Sequence, residues 1–234
     1  MLILGIETAT EQVSVAIGGH EGVLGLFEVC RGRRHAETLT PAIEFVCRQA
    51  DIELGEISVI AVDVGPGLFT GMRVGLATGK ALAQALRVPM IGMSSLDLLA
   101  FPLRHGSRSI VAVVDARRGE LFYAFYRPVP GGVARETEAA VGPPEALAAE
   151  LAASPEETLL VGNGALLYER QLVESGTPVE FASVAHAFPT AEALLELAVP
   201  RFHREEASRP EDVLPAYVRK SDAEINWSYR ARSA

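Results

Sequence analysis

The stretch Ser58–Leu86, SVIAVDVGPGLFTGMRVGLATGKALAQAL, constrains what this chain can fold into more than any other part of it. It opens with an apolar, β-branched run, Val59–Val64, which reads as a buried strand. Gly65-Pro66-Gly67 breaks that run and forces a tight turn. Thr70 is placed to cap the helix that follows, and Val88-Pro89 ends it, because the residue before a proline is disfavoured in the α region. Within the helix Gly71, Gly75, Gly79 and Ala83 recur every fourth residue and share one face. Each mid-helix glycine costs ~1 kcal/mol against alanine, and nothing in an isolated helix returns it. A row without side chains lets another backbone come close. The row therefore predicts a short-range contact, either inside this domain or with a helix of a second chain.

A chain of 234 residues with 49% hydrophobic composition is long enough for a good core, in one large domain or two lobes. Its net charge of −9 argues against independent nucleic-acid binding, which draws its affinity mainly from Lys and Arg on phosphates. No apolar run reaches the ~20 residues of a membrane span, and the N-terminus lacks the basic-then-apolar pattern of a signal peptide. Cys30 and Cys47 have no metal-ligand spacing and read as reduced core thiols of a cytoplasmic protein.

Taken in order, Leu2–Glu7 is a short apolar strand ending in a carboxylate. Val13–Ile17 and Val23–Val29 follow across short polar or glycine turns, so the three form an antiparallel meander. Leu39, Ala42, Ile43, Val46 and Ala50 then trace one helical face, with Pro41 either in the first turn or kinking it. The Ser58–Leu86 unit comes next, and Pro89–Met93 is a short strand. A similar order restarts at Ser109–Asp115, again a strand ending in an acid. Glu120–Tyr126 and Val133–Ala139 flank the hairpin signal Pro130-Gly131-Gly132, and a helix over Pro143–Ala153, a strand over Thr158–Val161 and a helix near Ala165–Ser175 follow. Thr190–Arg204 reads as a long helix and Pro210–Ala234 as a polar tail. The predicted division is 1–103 and 104–234, with the linker near Pro102–Ser107.

The run Gly65-Pro66-Gly67-Leu68-Phe69-Thr70-Gly71-Met72-Arg73-Val74-Gly75-Leu76-Ala77-Thr78 resembles the GPGSFTGLRIGLAT motif of the TsaB (YeaZ) family, departing at Leu68 and Met72. Asp115–Tyr123 is similar to that family's DARMGEVY segment, Pro215–Arg219 to its PxYLR, and His35–Leu39 to its HSExLLP, so the likeness covers most of the chain. The resemblance implies an α/β, two-lobed ASKHA (actin, sugar-kinase and Hsp70-like, RNase H-like) fold with a reduced second lobe. The βββαβαβ order of the first half points the same way. It further implies the non-catalytic subunit of the machinery that makes threonylcarbamoyladenosine at adenosine 37 of tRNA. The implied partners are TsaD, which carries catalysis, and the ATPase TsaE in a larger assembly; tRNA is met only through the complex, and self-pairing is open when the chain is alone. No cofactor, metal or membrane is implied. The implied contact elements are the helices Glu37–Ala50 and Thr70–Leu86, with Thr38, Leu39, Ala42, Val46, Gly71, Met72, Gly75, Thr78, Gly79 and Ala83 at the partner interface.

Glu7-Thr8-Ala9-Thr10 sits where the ASKHA superfamily places its first phosphate loop, with Asp115 as its mirror in the second half. Here the acid is Glu and the loop glycine is missing. Glu7, Thr8, Thr10 and Asp115 are thus either a vestigial nucleotide site or acids that cap turns. Gly162-Asn163-Gly164 is first of all a turn signal. The catalytic relative TsaD carries two histidines at i, i+4 in a segment resembling PLIGVNHLEGH, whereas this chain has Ser95 and Leu99 in those places. His20, His35, His105, His186 and His203 are scattered, and no catalytic residue is assigned. The rival reading, a small-molecule kinase or ATPase of the same fold, needs an intact phosphate loop.

Overall fold

A computed structural model describes residues 1–32, 34–154, 156–173 and 178–219. The first sheet is built from β1 (Leu2–Glu7), β2 (Gln12–Gly19), β3 (Gly22–Cys30), β4 (Ile57–Gly65) and β5 (Met90–Ser94), in the order β3-β2-β1-β4-β5. β1, β2 and β3 pair antiparallel, while β4 and β5 run parallel beside β1. α1 (His35–Gln49) and α2 (Phe69–Leu86) cover one face. Leu4, Ile6, Ile60 and Val62 meet Leu39, Val46, Leu76 and Ala83 there. α3 (Ser95–Ala100) follows β5.

The second sheet repeats the order. β6 (Ser109–Arg117) lies between β7 (Glu120–Val129) and β10 (Thr158–Val161); β8 (Gly132–Arg135) and β11 (Val179–Phe181) are the edges, and β9 (Ala140–Gly142) pairs with β7. Its helices are α4 (Pro144–Ala153), α5 (Asn163–Leu167) and α6 (Glu169–Val173). The expectation of a two-lobed α/β fold with a reduced second lobe holds: α5 and α6 have 5 residues each where α2 has 18.

The predicted boundary does not describe the packing of the late chain. α7 (Ala191–His203) puts Ala191, Leu194, Leu195 and Ala198 against Ile3, Ala16, Val59 and Ala61, on the face of the first sheet opposite α1 and α2. Ser208 then bridges to Met90, and Ala216 N–H donates to the Val64 carbonyl at 2.8 Å. Residues assigned to 104–234 thus complete the first half, because a sheet with one helical layer would leave its other apolar face in water. Locally, α1 begins at His35, so Pro41 lies inside the helix and not in its first turn, the second of the two placements left open. Leu68, not Thr70, is the N-cap of α2, and its N–H donates to the Ala9 carbonyl at 2.6 Å.

Candidate functional site

The C-terminal end of β1 is where the elements of the first half converge. Glu7 is fully buried, and its Oε1 accepts from Ala9 N–H at 2.7 Å, Thr10 N–H at 3.2 Å and Thr10 Oγ1 at 3.5 Å. These bonds hold Thr8-Ala9-Thr10 as a tight turn. Thr8 Oγ1 donates to the Gly71 carbonyl at 2.8 Å, and His35 Nε2 meets the Thr10 carbonyl at 2.7 Å. A Cβ on Gly71 would overlap the Thr8 carbonyl, and one on Gly75 would overlap Thr8 Oγ1. A Cβ on Gly79 would sit 3.1 Å from Met90 Cε.

The glycine row therefore faces this chain's own sheet, which corrects its assignment to a partner interface. Gly71, Met72, Gly75, Gly79 and Ala83 are buried, as are Leu39, Ala42 and Val46 of α1. Of the ten residues named, Thr38 and Thr78 alone are half-exposed. The reason is that helical periodicity finds the apolar stripe, and the nearest surface available to bury that stripe is the sheet beneath it. The outward faces are different residues. On α2 these are Arg73, Ala77, Ala81 and Ala85; on α1 they include Thr40, Pro41, Glu44 and Phe45.

Asp63 stands beside Glu7. β1 and β4 are parallel neighbours with Ile6 opposite Val62, so the next pair in register is Glu7 and Asp63. Asp63 is 1% exposed, and its Oδ1 accepts from Gly65 N–H at 2.7 Å and from Ser95 Oγ at 2.8 Å. Burial, then the Asp63 charge, push the Glu7 carboxyl well above the usual carboxylate range. Burial pushes Asp63 up to about 7. The sequence reading passed over Asp63; its signal was an acid inside an otherwise apolar β-branched strand. Ser95, which replaces a histidine of the catalytic relative, spends its hydroxyl on this acid, and Leu99 is buried in the second core.

In the second half Asp115 lies near the end of β6, two residues before its last residue Arg117, as Glu7 lies at the end of β1. Its Oδ1 caps the turn by accepting from Arg117 N–H at 2.9 Å, its Oδ2 lies 3.0 Å from Arg117 Nη1, and its own N–H donates to Asn163 Oδ1 at 3.1 Å. Arg117 also pairs with Glu11, across to the first half. Both acids thus cap turns, and Arg117 joins the turn after Asp115 to Glu11, the residue after Thr10. The histidines are not all scattered: His20 and His203 bring their Nε2 atoms to 2.6 Å, a pairing no sequence spacing predicts. Among the described residues no group of three or more His, Cys, Asp or Glu is placed to hold a metal, and no helix is long and apolar enough to cross a membrane.

Two sheets of one strand order, each opened by a strand with a buried acid at or near its C-terminal end, define an ASKHA-type protein. A structure of the ethanolamine utilization protein EutJ from Carboxydothermus hydrogenoformans has the same fold at 12% identity, with TM-score 0.52 over 84% of this chain and 90% of that one. The family model described as TsaD, tRNA N6-adenosine threonylcarbamoyltransferase, matches residues 28–227. The tRNA threonylcarbamoyladenosine biosynthesis protein TsaB of Escherichia coli is 32% identical over 95% of this chain and 96% of its own, and that of Bacillus subtilis is 28% identical over 97% and 98%. YeaZ from Pseudomonas aeruginosa superposes with TM-score 0.78 at 29% identity, covering 92% of this chain and 99% of that one. The chain belongs to the TsaB (YeaZ) family of tRNA threonylcarbamoyladenosine biosynthesis proteins.

Proposed function

We propose that this chain is a non-catalytic subunit of the tRNA threonylcarbamoyladenosine machinery, which pairs with TsaD and holds it in an active arrangement. The observation that carries this reading is the outward ridge of α2. Ala77, Ala81 and Ala85 are exposed at intervals of four on α2, and Phe45 of the neighbouring α1 is 41% accessible. Alanine is a good helix former with almost no side chain, so the ridge costs the helix nothing and lets a partner helix approach closely. Two adjacent helices offering such a face fit a bundle with two helices of a related subunit. A second copy of this chain would use the same face when TsaD is absent, and TsaE and tRNA join through the complex.

Both strand-end acids are engaged, Glu7 by its turn and Asp115 by Arg117, so neither loop is an open phosphate cradle of the kind the kinase reading needs. The test is Ala81→Arg, measured by thermal unfolding of the chain alone and by co-elution with TsaD from the same cell. An exposed Ala-to-Arg change in a helix costs a few tenths of a kcal/mol, so the melting temperature should stay near wild type. Breaking complementarity at the centre of an interface costs ~2 kcal/mol or more, so pairing should weaken at least ~30-fold. Unchanged co-elution would place the interface elsewhere.

A further inference from the structure

We propose that His20 and His203 form a binding site for a divalent transition-metal ion such as zinc or nickel, and that the bound ion ties the end of α7 to the turn between β2 and β3. The two Nε2 atoms stand 2.6 Å apart, although the residues lie 183 apart in sequence. The ring centroids are 4.7 Å apart and the planes are tilted by 37°. The nitrogens are closer than the centroids, so the rings meet with Nε2 on their facing edges. Two nitrogens this close cannot both carry a hydrogen, so one donates and the other accepts. A metal ion takes the place of that hydrogen. The donating ring moves its hydrogen to Nδ1, the other neutral tautomer, and both Nε2 lone pairs then face the ion. Zn–N bonds of ~2.0–2.1 Å hold two ligands of a tetrahedral ion ~3.3 Å apart, so the pair has to open by ~0.7 Å. Both residues are exposed, and small side-chain rotations supply that opening.

The elements that carry the histidines are fixed against each other. His20 occupies the turn between β2 and β3, and His203 is the last residue of α7. A Cβ on Gly18, two residues before His20, would stand 3.0 Å from Leu195 Cδ1 and would overlap the Gly22 carbonyl. The end of the hairpin therefore lies directly on α7. Leu195 and His203 are eight residues apart, which places them on the same side of the helix, and Phe202 packs against the core that Ala16 and Leu195 share. Ligands on packed elements are in place before the ion arrives. The end of α7 adds partial negative charge, which favours a cation there. Imidazole suits zinc, copper and nickel, while magnesium and calcium prefer oxygen. Among the described residues no third His, Cys, Asp or Glu completes a cluster, so water fills the remaining positions of the ion. The site is thus of the open, exchangeable kind and not the closed four-ligand kind of structural zinc. α7 covers the face of the first sheet opposite α1 and α2, so the site does not depend on the pairing proposed above.

The experiment is calorimetric titration of the whole chain with zinc chloride at neutral pH. Cys30 is exposed, not a core thiol as its sequence suggested, and Cys47 is buried, so every chain tested carries Cys30→Ser to remove a competing ligand. We expect one ion per chain. His20→Ala and His203→Ala each leave a lone imidazole and forfeit the gain from a second tethered ligand, so the affinity should fall at least ~10-fold in both. His105→Ala removes another exposed histidine and should change nothing. The two histidines come together only in the folded protein, so zinc should raise the melting temperature of the parent chain and of neither variant. Magnesium should raise none of them. A smaller fall in affinity in either variant overturns the proposal, and so does a parent chain that takes up no zinc at millimolar concentration. Should a variant fail to fold, hydrogen exchange of the parent chain decides. Slowing by zinc that centres on the β2–β3 turn and the last turn of α7 supports the site; slowing centred elsewhere, or none, overturns it.

Discussion

The two halves of the molecule lay one strand order under different coverings. In each, the helix after the fourth strand comes down on the end of the first strand, and in each the contact is made by glycine. Gly71 and Gly75 of α2 press on Thr8 after β1, while Gly162 and Gly164 press on Val113 and Asp115 of β6, where a Cβ on Gly164 would stand 2.9 Å from the Asp115 nitrogen. The halves differ above that contact. α2 continues for 18 residues and exposes a clean ridge, whereas α5 stops after 5 and turns into α6. They differ also at the acid. Asp115 meets an arginine that reaches solvent, and Glu7 meets a second buried acid. The shared part is thus the backbone approach that sets the topology, and the parts free to diverge are the helix length and the charge beside the strand end.

The largest effect should come from loading the glycine contact. Gly75→Arg drives a side chain into Thr8 and Ile6, and it buries a cation without a partner. Overpacking costs about 1–3 kcal/mol and the unpaired charge adds several more, a sum comparable with the whole stability of a domain. The variant should have no cooperative unfolding transition at 37 °C. Leu167→Arg puts the same side chain on the matching helix of the second half, where Leu167 is 60% exposed, and should stay within ~0.5 kcal/mol of wild type. Urea denaturation of the two checks this. A near-normal midpoint for Gly75→Arg would mean that α2 can lift from the sheet, and the contrast between the halves would fail.

How much of this was legible in the sequence follows from what each signal reports. Alternation and turn residues report local geometry, so the strands and their order were readable, and so was the closeness demanded by Gly71, Gly75 and Gly79. Which surface comes close is not local information. The same row serves a partner helix or the chain's own β1, and the fold settles it for β1. For the same reason Leu39 and Val46 read as contact residues while Thr40 and Phe45, which face outward, did not register. α7 follows the second sheet in the chain and packs on the first, which no short-range pattern encodes. Asp63 was visible as an acid in an apolar run but acquires meaning only from Glu7 and Ser95, 56 and 32 residues distant in sequence.

A smaller effect should follow from removing the cation that distinguishes the acids. Arg117 lies 3.0 Å from Asp115 and also pairs with Glu11. Its side chain is 45% exposed and that of Asp115 only 5%. The Glu11 contact, near the surface, is worth a few tenths of a kcal/mol, while leaving Asp115 buried without its cation costs ~1 kcal/mol. Arg117→Ala should therefore cost ~1–1.5 kcal/mol. Added salt should trim only the minor part of that difference, because the deeper contact is poorly screened. Urea unfolding at low and high salt measures both quantities. No loss at either salt would mean that Asp115, like Glu7, is stable without a cation, and the two acids would no longer be a contrast.

The smallest effect concerns the tail where it closes over the first half. Tyr217 stacks on Phe69 at 5.6 Å between ring centroids, and Arg73 lies over the Phe69 ring at 3.8 Å while its Nε donates to the Tyr217 hydroxyl at 3.0 Å. Tyr217 is nonetheless 47% exposed, and an exposed cation–π contact contributes ~0.5–1 kcal/mol. The tail has further anchors: the buried Val213 and the Ala216 N–H on the Val64 carbonyl at 2.8 Å on the first half, and Val218 with the Arg219–Glu120 ion pair at 2.6 Å on the second. Tyr217→Ala should therefore leave the global unfolding midpoint almost unchanged and loosen only the local closure. The amide of Ala216 reports that closure directly, since its bond must open for hydrogen exchange. Its exchange should quicken by about 2- to 5-fold, the equivalent of 0.5–1 kcal/mol, while amides in β1 and β4 keep their rates. Unchanged exchange at Ala216 would show that the other anchors hold the tail without the stack, and quickened exchange in β4 as well would show that the stack braces the whole first half.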